Sequence, residues 1–494
     1  MTQPPVLKRN WILAALMLTM MLAAMDVTII STVIPQIVED LGGFNKFSWV
    51  FSSYLLIQTA TIPLYGKLAD LYGRKKVLIF GIFVFLLASA AAALSWNIDA
   101  LIFFRGVQGL GAGSIMATVN TIAGDIYTVE ERAKIQGWLS SIWGISAIVG
   151  PALGGALVKY VSWRWIFYIN IPLGAVAIFL LYYFLKEQLN VQKPKIDYLG
   201  AVLIFVTLSL FITFLLNGGR VWDWNSIPSI TLIILTFLLA YLTIKVERRA
   251  EAPIIPLWMW TNRSFLGSNL AMLGMGIIMM GPQTYLPTFT QASLGLEVVL
   301  SGLILASMSI GWPTASALSG KFYLNIGFRN TAMIGIVIVI LACANFLLVS
   351  WPQPTYFLVL NQVMLGAGFG LMSTPILVGV QTMVGWEQRG VVTGATLFGR
   401  NLGQSIGAAV YGAIFNASLT FKMKESKVHF SDNGGNIIET LHSTDISATV
   451  KESIQLAINF SFRHIYVGML IIAVLSFVAL NLMPKITEKL EEKS

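Results

Sequence analysis

The chain has 494 residues, of which 56% are hydrophobic and 11% charged, with a mean hydropathy of +0.75. So few charges cannot cover the surface of a soluble protein of this length, which leaves lipid as the solvent. The net charge of +9 comes from short basic clusters set between apolar runs, with no interleaved aromatic platforms; this excludes a nucleic-acid surface and suits positive-inside topology.

In chain order, runs of about 20 apolar residues, the length that crosses a bilayer as helix, predict fourteen spans. The first, near 11–36, follows Lys8-Arg9 as a signal peptide would, but Asp26 interrupts it and further spans follow, so an uncleaved helix is expected. Runs near 46–69, 77–95, 99–127, 133–158 and 164–185 complete a group of six. Two more lie near 198–216 and 227–246, and a second group of six near 264–291, 298–320, 330–349, 354–384, 390–420 and 464–483. With the N-terminus inside, cytoplasmic segments hold 21 of the 32 Lys and Arg and outer segments nine, with Arg105 and Arg400 inside spans. Both termini are therefore expected in the cytoplasm, and the polar segment 421–463 outside. The single cysteine, Cys343, lies in an apolar run, cannot form an intrachain disulfide and reads as an inert buried thiol.

Glycine spacing reveals an internal repeat. Gly66-Lys67, Gly73 and Lys75 recur 254 residues later as Gly320-Lys321, Gly327 and Arg329. At an offset of 257, Arg105, Gly109, Gly111 and Gly113 are matched by Gln362, Gly366, Gly368 and Gly370, and Arg132, Gly137, Gly150 and Gly155 by Arg389, Gly394, Gly407 and Gly412. The expected organisation is a six-helix half at 1–190, two inserted linker helices at 191–250, a second six-helix half at 251–484 that includes the outer loop 421–463, and a cytoplasmic tail at 485–494. Duplicated helical halves are the build of secondary transporters, in which substrate binds between the repeats.

Ionisable residues at bilayer depth cost at least ~2.5 kcal/mol each, so those that persist are functional candidates. Desolvation and a neighbouring cation act on a buried carboxylate in opposite directions, which lets its proton affinity change with its surroundings. Asp26 is the candidate proton carrier, and Arg105 its switchable partner. Neither charge recurs in the second half, where Met280 and Gln362 stand instead. Arg400 has Trp143 at its repeat position; an anionic part of a substrate, helix carbonyls or lipid phosphate are its candidate partners. Arg400, Trp143, Met279 and Met280 are the possible substrate contacts. The spans hold no HExxH, Cys/His cluster or Ser/His/Asp group, so neither a metal nor a catalytic site is expected. Gly109-Leu110-Gly111-Ala112-Gly113 lies in an apolar run with no strand before it and reads as helix packing, and no Walker A sequence occurs.

The stretch GKLADLYGRKK, Gly66 to Lys76, resembles the signature loop between the second and third helices of the major facilitator superfamily. Arg105 with Gly109 resembles the fourth-helix motif, and Gly144-ISAIV-Gly150-Pro151-AL-Gly154-Gly155 the fifth-helix motif of antiporters. AMDVTIISTVIPQI in the first span is similar to the motif of the drug:proton antiporter branch with fourteen spans, which the two inserted helices also suit. The resemblance implies an all-α integral membrane protein of two homologous six-helix halves plus two inserted helices. It implies a conformational latch built from Gly66, Lys67, Asp70, Gly73, Arg74, Lys75 and Asp125, with Asp70 pairing with Arg74 or capping the next helix, and Asp125 pairing with Arg74. It further implies a monomeric, multi-pass exporter of the bacterial plasma membrane, driven by the proton gradient without a cofactor, whose partners are protons, membrane lipids and amphipathic drugs or toxic compounds. The same fold suits an exporter of an endogenous metabolite, siderophore or lipid precursor. A non-transporting receptor or lipid-modifying enzyme would need a sensor domain or clustered catalytic residues.

Overall fold

In lipid no water is available to satisfy peptide groups, so apolar runs must close their own hydrogen bonds as helices. The computed structural model of the protein, which describes residues 6–43, 46–187, 197–218, 221–348, 354–425 and 448–483, is accordingly helical throughout, with no strand among these residues. The helices are α1 (Val6–Leu41), α2 (Phe47–Tyr72), α3 (Arg74–Ala93), α4 (Ile98–Ile126), α5 (Val129–Tyr160), α6 (Trp165–Tyr168), α7 (Asn170–Phe184), α8 (Tyr198–Asn217) and α9 (Ile227–Glu247). They continue as α10 (Trp258–Thr261), α11 (Arg263–Leu294), α12 (Val298–Ala306), α13 (Met308–Ile326), α14 (Phe328–Leu348), α15 (Thr355–Thr382), α16 (Arg389–Glu425) and α17 (Ala448–Leu480).

Local signals set several of the ends. Asn97 caps α4 by accepting from the Ala100 amide at 2.7 Å, and Thr128 with Glu131 forms a capping box on α5. Between α2 and α3 the chain turns on one residue, Gly73, at φ 94°, and between α13 and α14 on Gly327 at φ 84°, a backbone conformation that needs glycine.

Among the described residues, twelve stretches are long and apolar enough to cross a membrane. They cover the expected spans except α2 and α16, which are long enough but more polar. Those two helices pack on each other between the two halves, which accounts for their polarity: much of their surface meets protein rather than lipid. The expected outer segment is also shorter than its polarity suggested, because α16 runs on to Glu425 and α17 begins at Ala448, ahead of the expected 464. Residues 426–447 of that segment, and the expected tail 485–494, lie outside the described residues.

Packing follows the repeat. α4 lies against α2 and α3, and α15 against α13 and α14; α1 lies against α5 and α7, and α11 against α16 and α17. The GLGAG run shows why. A Cβ at Gly109 would stand 2.5 Å from the Tyr54 carbonyl oxygen of α2, and one at Gly111 2.5 Å from the Gly81 carbonyl oxygen of α3. At the repeat positions, Gly366 meets α13 and Gly368 meets α14, 2.8 Å from the Gly335 carbonyl oxygen. Close helix approach through small residues is the membrane mode of packing. Each half has its own apolar core, and Leu397 and Phe398 of α16 reach across into the first. Helices α8 and α9 pair with each other, α8 touches both α2 and α16, and Phe237 and Ile227 of α9 stand 69% and 82% exposed, as side chains do that face lipid.

At the far end of α1, Asp40 accepts from Trp163 Nε1 at 3.0 Å and Arg164 Nη1 at 2.6 Å. The hydrogen bond from Trp163, and then that from Arg164, holds its carboxyl below the ordinary 3.8. A lowered folded value means that the stabilisation is complete above 3.8 and is lost as pH falls through the lowered value. Both partners are partly exposed, so Asp40→Asn is expected to cost no more than ~1 kcal/mol at pH 7. Thermal melting should show that deficit vanish in acid below the lowered value; a deficit that persists there would refute the ionic contribution.

Candidate functional site

Asp26 on α1 faces α4 and α7 within the first half. It is 3% exposed and pairs through Oδ2 with Nη1 of Arg105, which is fully buried. Gln108, one helical turn beyond Arg105, donates from Nε2 to Asp26 Oδ1 at 2.8 Å and accepts from Arg105 Nη1 at 2.7 Å. Asn170 of α7 donates to the same Asp26 oxygen at 3.4 Å and to Ser89 Oγ at 3.0 Å. Arg105 Nε donates to the Val50 carbonyl oxygen at 3.2 Å, and the guanidinium lies 4.2 Å over the Tyr54 ring. Neutral donors and acceptors thus surround most of the charged pair, which helps ions survive burial, while Arg105 Nη2 is buried without a partner. At the repeat position Gln362 donates to Tyr466 Oη at 3.2 Å, whose hydroxyl donates to Asn361 Oδ1 at 3.0 Å, a neutral network.

The second site joins the halves. Asp70, at the end of α2, pairs with Arg74 Nη2 at 2.7 Å and accepts from the amides of Gly390 and Val391 at 2.9 and 2.8 Å. It therefore caps α16, in the other half, where the helix N-terminus attracts an anion. Asp70 does not cap α3. Arg74 Nε lies 3.1 Å from Asp125 Oδ2, its guanidinium stands 3.6 Å over the Trp386 ring, and Nη2 donates to the Trp386 carbonyl oxygen. Arg389 Nη1 completes the cluster at 3.0 Å from Asp125 Oδ1. A layer deeper, Gln381 donates to the Asn120 carbonyl oxygen at 3.1 Å and to Thr393 Oγ1 at 2.9 Å. Gly66 lets the backbones meet, since a Cβ there would be 2.5 Å from the Gly390 carbonyl oxygen. Lys75 stands outside this clasp, its Nζ donating to the Tyr182 carbonyl oxygen at 2.7 Å, while Lys67 feels the charge of Asp70 and, next, that of Glu247 on α9. These cross-half bonds lie at one end of the helices.

The fifth-helix motif packs in two directions. A Cβ at Gly144 would lie 2.6 Å from Ser309 Cβ on α13, across the halves, and one at Gly150 would collide with Thr28 of α1, whose hydroxyl donates to the Ser146 carbonyl oxygen at 2.9 Å. Pro151 lies inside α5 and Gly154 is buried, whereas Gly155 has nothing within 4 Å of its Cβ position. Trp143 packs on the first core, and Met279 and Met280 belong to the packing of the second. Arg400 Nε is buried without a partner.

Sequence reasoning missed Gln108, Asn170, Tyr54, Trp386 and Arg389. The spacing of Gln108 from Arg105, three residues along one helix, was a usable signal. The others come from distant parts of the chain, and nothing local marks them.

Two helical halves joined by a charged clasp at one end, with a buried ion pair inside the first half, have the build of a polytopic membrane transporter. The chain belongs to the major facilitator superfamily: the profile described as Major Facilitator Superfamily matches residues 16–408. Multidrug resistance protein 3 of Bacillus subtilis (strain 168) is 34% identical over 421 residues, covering 84% of this chain and 81% of its own. Multidrug transporter protein MdtP of the same organism is 33% identical over 428 residues, covering 86% and 79%. These relatives place the chain with the drug-efflux members of the superfamily. Among solved structures, the human organic anion transporter MFSD10 (TETRAN) superposes with a TM-score of 0.64 over 97% of this chain and all of that one, at 15% identity, a likeness of fold alone.

Proposed function

We propose that the protein is a proton-coupled antiporter that exports amphipathic small molecules, drugs or other toxic compounds among them, as a monomer in a bacterial plasma membrane. The observation that carries this reading is the buried Asp26–Arg105 pair in a chain related to multidrug transporters. Fourteen spans, two homologous halves of six and cytoplasmic termini complete the reading. The basic clasp then lies on the cytoplasmic side, where anionic lipid also attracts Lys67, Lys75 and Lys76, and the halves are closed toward the cytoplasm.

Asp26 carries the proton. In the closed-inside arrangement its carboxylate is held by Arg105, Gln108 and Asn170. A proton arriving on Oδ2 removes the charge that holds Arg105, and the guanidinium must find other acceptors, such as the Gln108 and Val50 oxygens it already touches. That exchange loosens α1 from α4, the helix whose other end carries Asp125 of the clasp. Proton arrival and clasp release are thereby linked along one rigid helix. Gly144, Gly150 and Pro151 let α5 pivot against α1 and α13. One charge crossing 100 mV is worth ~2.3 kcal/mol, roughly a fifty-fold substrate gradient. With no carboxylate in the second-half spans, neutral, zwitterionic or monocationic substrates suit the pathway better than dications.

Energised inverted vesicles test the reading. Added to vesicles with and without the protein, at least one compound from a panel of cationic, neutral, zwitterionic and anionic amphiphiles should collapse the pH gradient only where the protein is present. A panel in which none does so, with insertion verified, would refute proton-coupled export of amphiphiles.

A further inference from the structure

Four arginines are buried among the described residues, and although each leaves one nitrogen without a hydrogen bond, each has a partner for the rest of its guanidinium: Arg74 and Arg105 carboxylates, Arg9 Glu131, and Arg132 the Tyr127 carbonyl oxygen at 3.0 Å. Arg400, on α16, differs from them. No ion pair, hydrogen bond or ring contact engages its guanidinium among the described residues, and Nε is buried. Helix carbonyls, one of its expected partners, are therefore not where its charge is spent. The nearest clasp residue on its helix is Val391, nine residues back, or about 13.5 Å of helix, and no clasp carboxylate pairs with Arg400 among the described residues.

Its surroundings explain what can reach it. Residues 391–399 are buried without exception, so α16 is wrapped by protein on all sides up to this level, and partial exposure begins at Arg400. Leu397 and Phe398, just below, pack into the core of the opposite half and end the seal. Arg400 is thus the first partly exposed residue beyond the closed end. Helical spacing sets Asn401 and Gln404 within about 100° of it, and Gln404 Nε2 reaches only Met279 Sδ, at 4.0 Å. On α11, Asn269 lies at the same level, its carbonyl oxygen 3.3 Å from the Cβ position of Gly399, and both ends of its side-chain amide are buried without partners. A permanent planar cation with unspent amides beside it matches one chemistry, an oxyanion taken by a two-pronged donor.

We propose that Arg400, with Asn401, Gln404 and Asn269, receives the oxyanion of the exported compound, so that preferred substrates are amphiphiles bearing a single carboxylate or similar group, zwitterions included. This inference rests on the export reading and moves its substrate class from neutral or monocationic compounds toward zwitterions and monoanions. It also assigns Arg400 a part in the cycle. Closing the halves over an empty site would desolvate a bare charge, whereas a bound oxyanion removes that cost, so occlusion favours the loaded protein.

Pyrenebutyrate and its methyl ester, which differ only in the charge, are the probes. In phosphatidylcholine liposomes with an imposed pH gradient, wild type should move the acid, the acid-to-ester ratio of initial rates should fall about tenfold in Arg400→Gln, and Arg400→Lys should recover part of it. In parallel, pyrenebutyrate should raise the melting temperature of purified wild type and the Lys variant, but not of the Gln variant, a readout independent of transport. An unchanged ratio in Arg400→Gln, or equal stabilisation of all three proteins, overturns the site while export stands. Movement of neither probe nor any other amphiphile by wild type refutes the export reading, and this inference with it. Stabilisation by phosphatidylglycerol that needs Arg400, with none by pyrenebutyrate, would assign the charge to a lipid phosphate and overturn the substrate role.

Discussion

Asp26→Asn is expected to abolish proton-coupled transport while leaving the protein inserted in the membrane. Asparagine keeps the shape and the one oxygen to which Gln108 and Asn170 both donate, but it carries no titratable proton and no charge. The substitution also strands Arg105, fully buried, without its counter-ion. Breaking a buried pair from one side costs ~3–5 kcal/mol, so the variant should melt well below wild type. Adding Arg105→Gln removes the stranded charge and should restore most of the stability without restoring coupling. That double variant separates the two roles: recovery of melting with transport still absent identifies a proton carrier, and full gradient-driven efflux by Asp26→Asn alone would remove the assignment.

The second large effect is expected at the clasp. Asp70 holds Arg74 with one oxygen and caps α16 with both, its side chain 3% exposed. Asp70→Asn deletes the charge that both contacts use. If even ~3 kcal/mol of the buried pair is lost, the closed-end state loses roughly a hundred-fold in relative population. Spin labels at Tyr72→Cys and Glu387→Cys, exposed positions on opposite halves beside the clasp, read the change directly, and the native Cys343 is buried and should not label. The distance distribution should lengthen in Asp70→Asn and also in Gly66→Leu, which opens the same seam by steric conflict with Gly390. A distribution identical to wild type in both variants would show that the clasp does not hold this end shut.

Some of this was legible along the chain. Asp26, Arg105 and Arg400 announce themselves because charge is costly in an apolar run, and Asp70 and Arg74 stand four residues apart, on either side of the Gly73 turn. The matched glycines at offsets of 254 and 257 anticipated matched packing, down to Gly111 on α3 and Gly368 on α14. Other features could not be placed from the motifs alone, for a physical reason. Lys75 shares a motif with Asp70 and Arg74 yet its ammonium meets the Tyr182 carbonyl oxygen, whereas Lys67 feels Asp70, because helix periodicity aims neighbours at different partners. Gly155 belongs to a glycine-rich run yet meets nothing, since a run does not say which face is covered.

What the sequence determined by itself was the solvent, the helical build, the duplicated glycine pattern and the list of charges out of place in lipid. Each follows from local chemistry: the length of an apolar run, the cost of an ion in hydrocarbon, the freedom of glycine at a turn. Only the tertiary structure decided which of those charges meet. Asp26 and Arg105 lie 79 residues apart, and Asp70 and Gly390 lie 320 apart; no periodicity relates such positions, because the contact exists only after separate helices have packed. The same packing left Arg400 without a partner, a fact that no reading of its neighbours in the chain could supply.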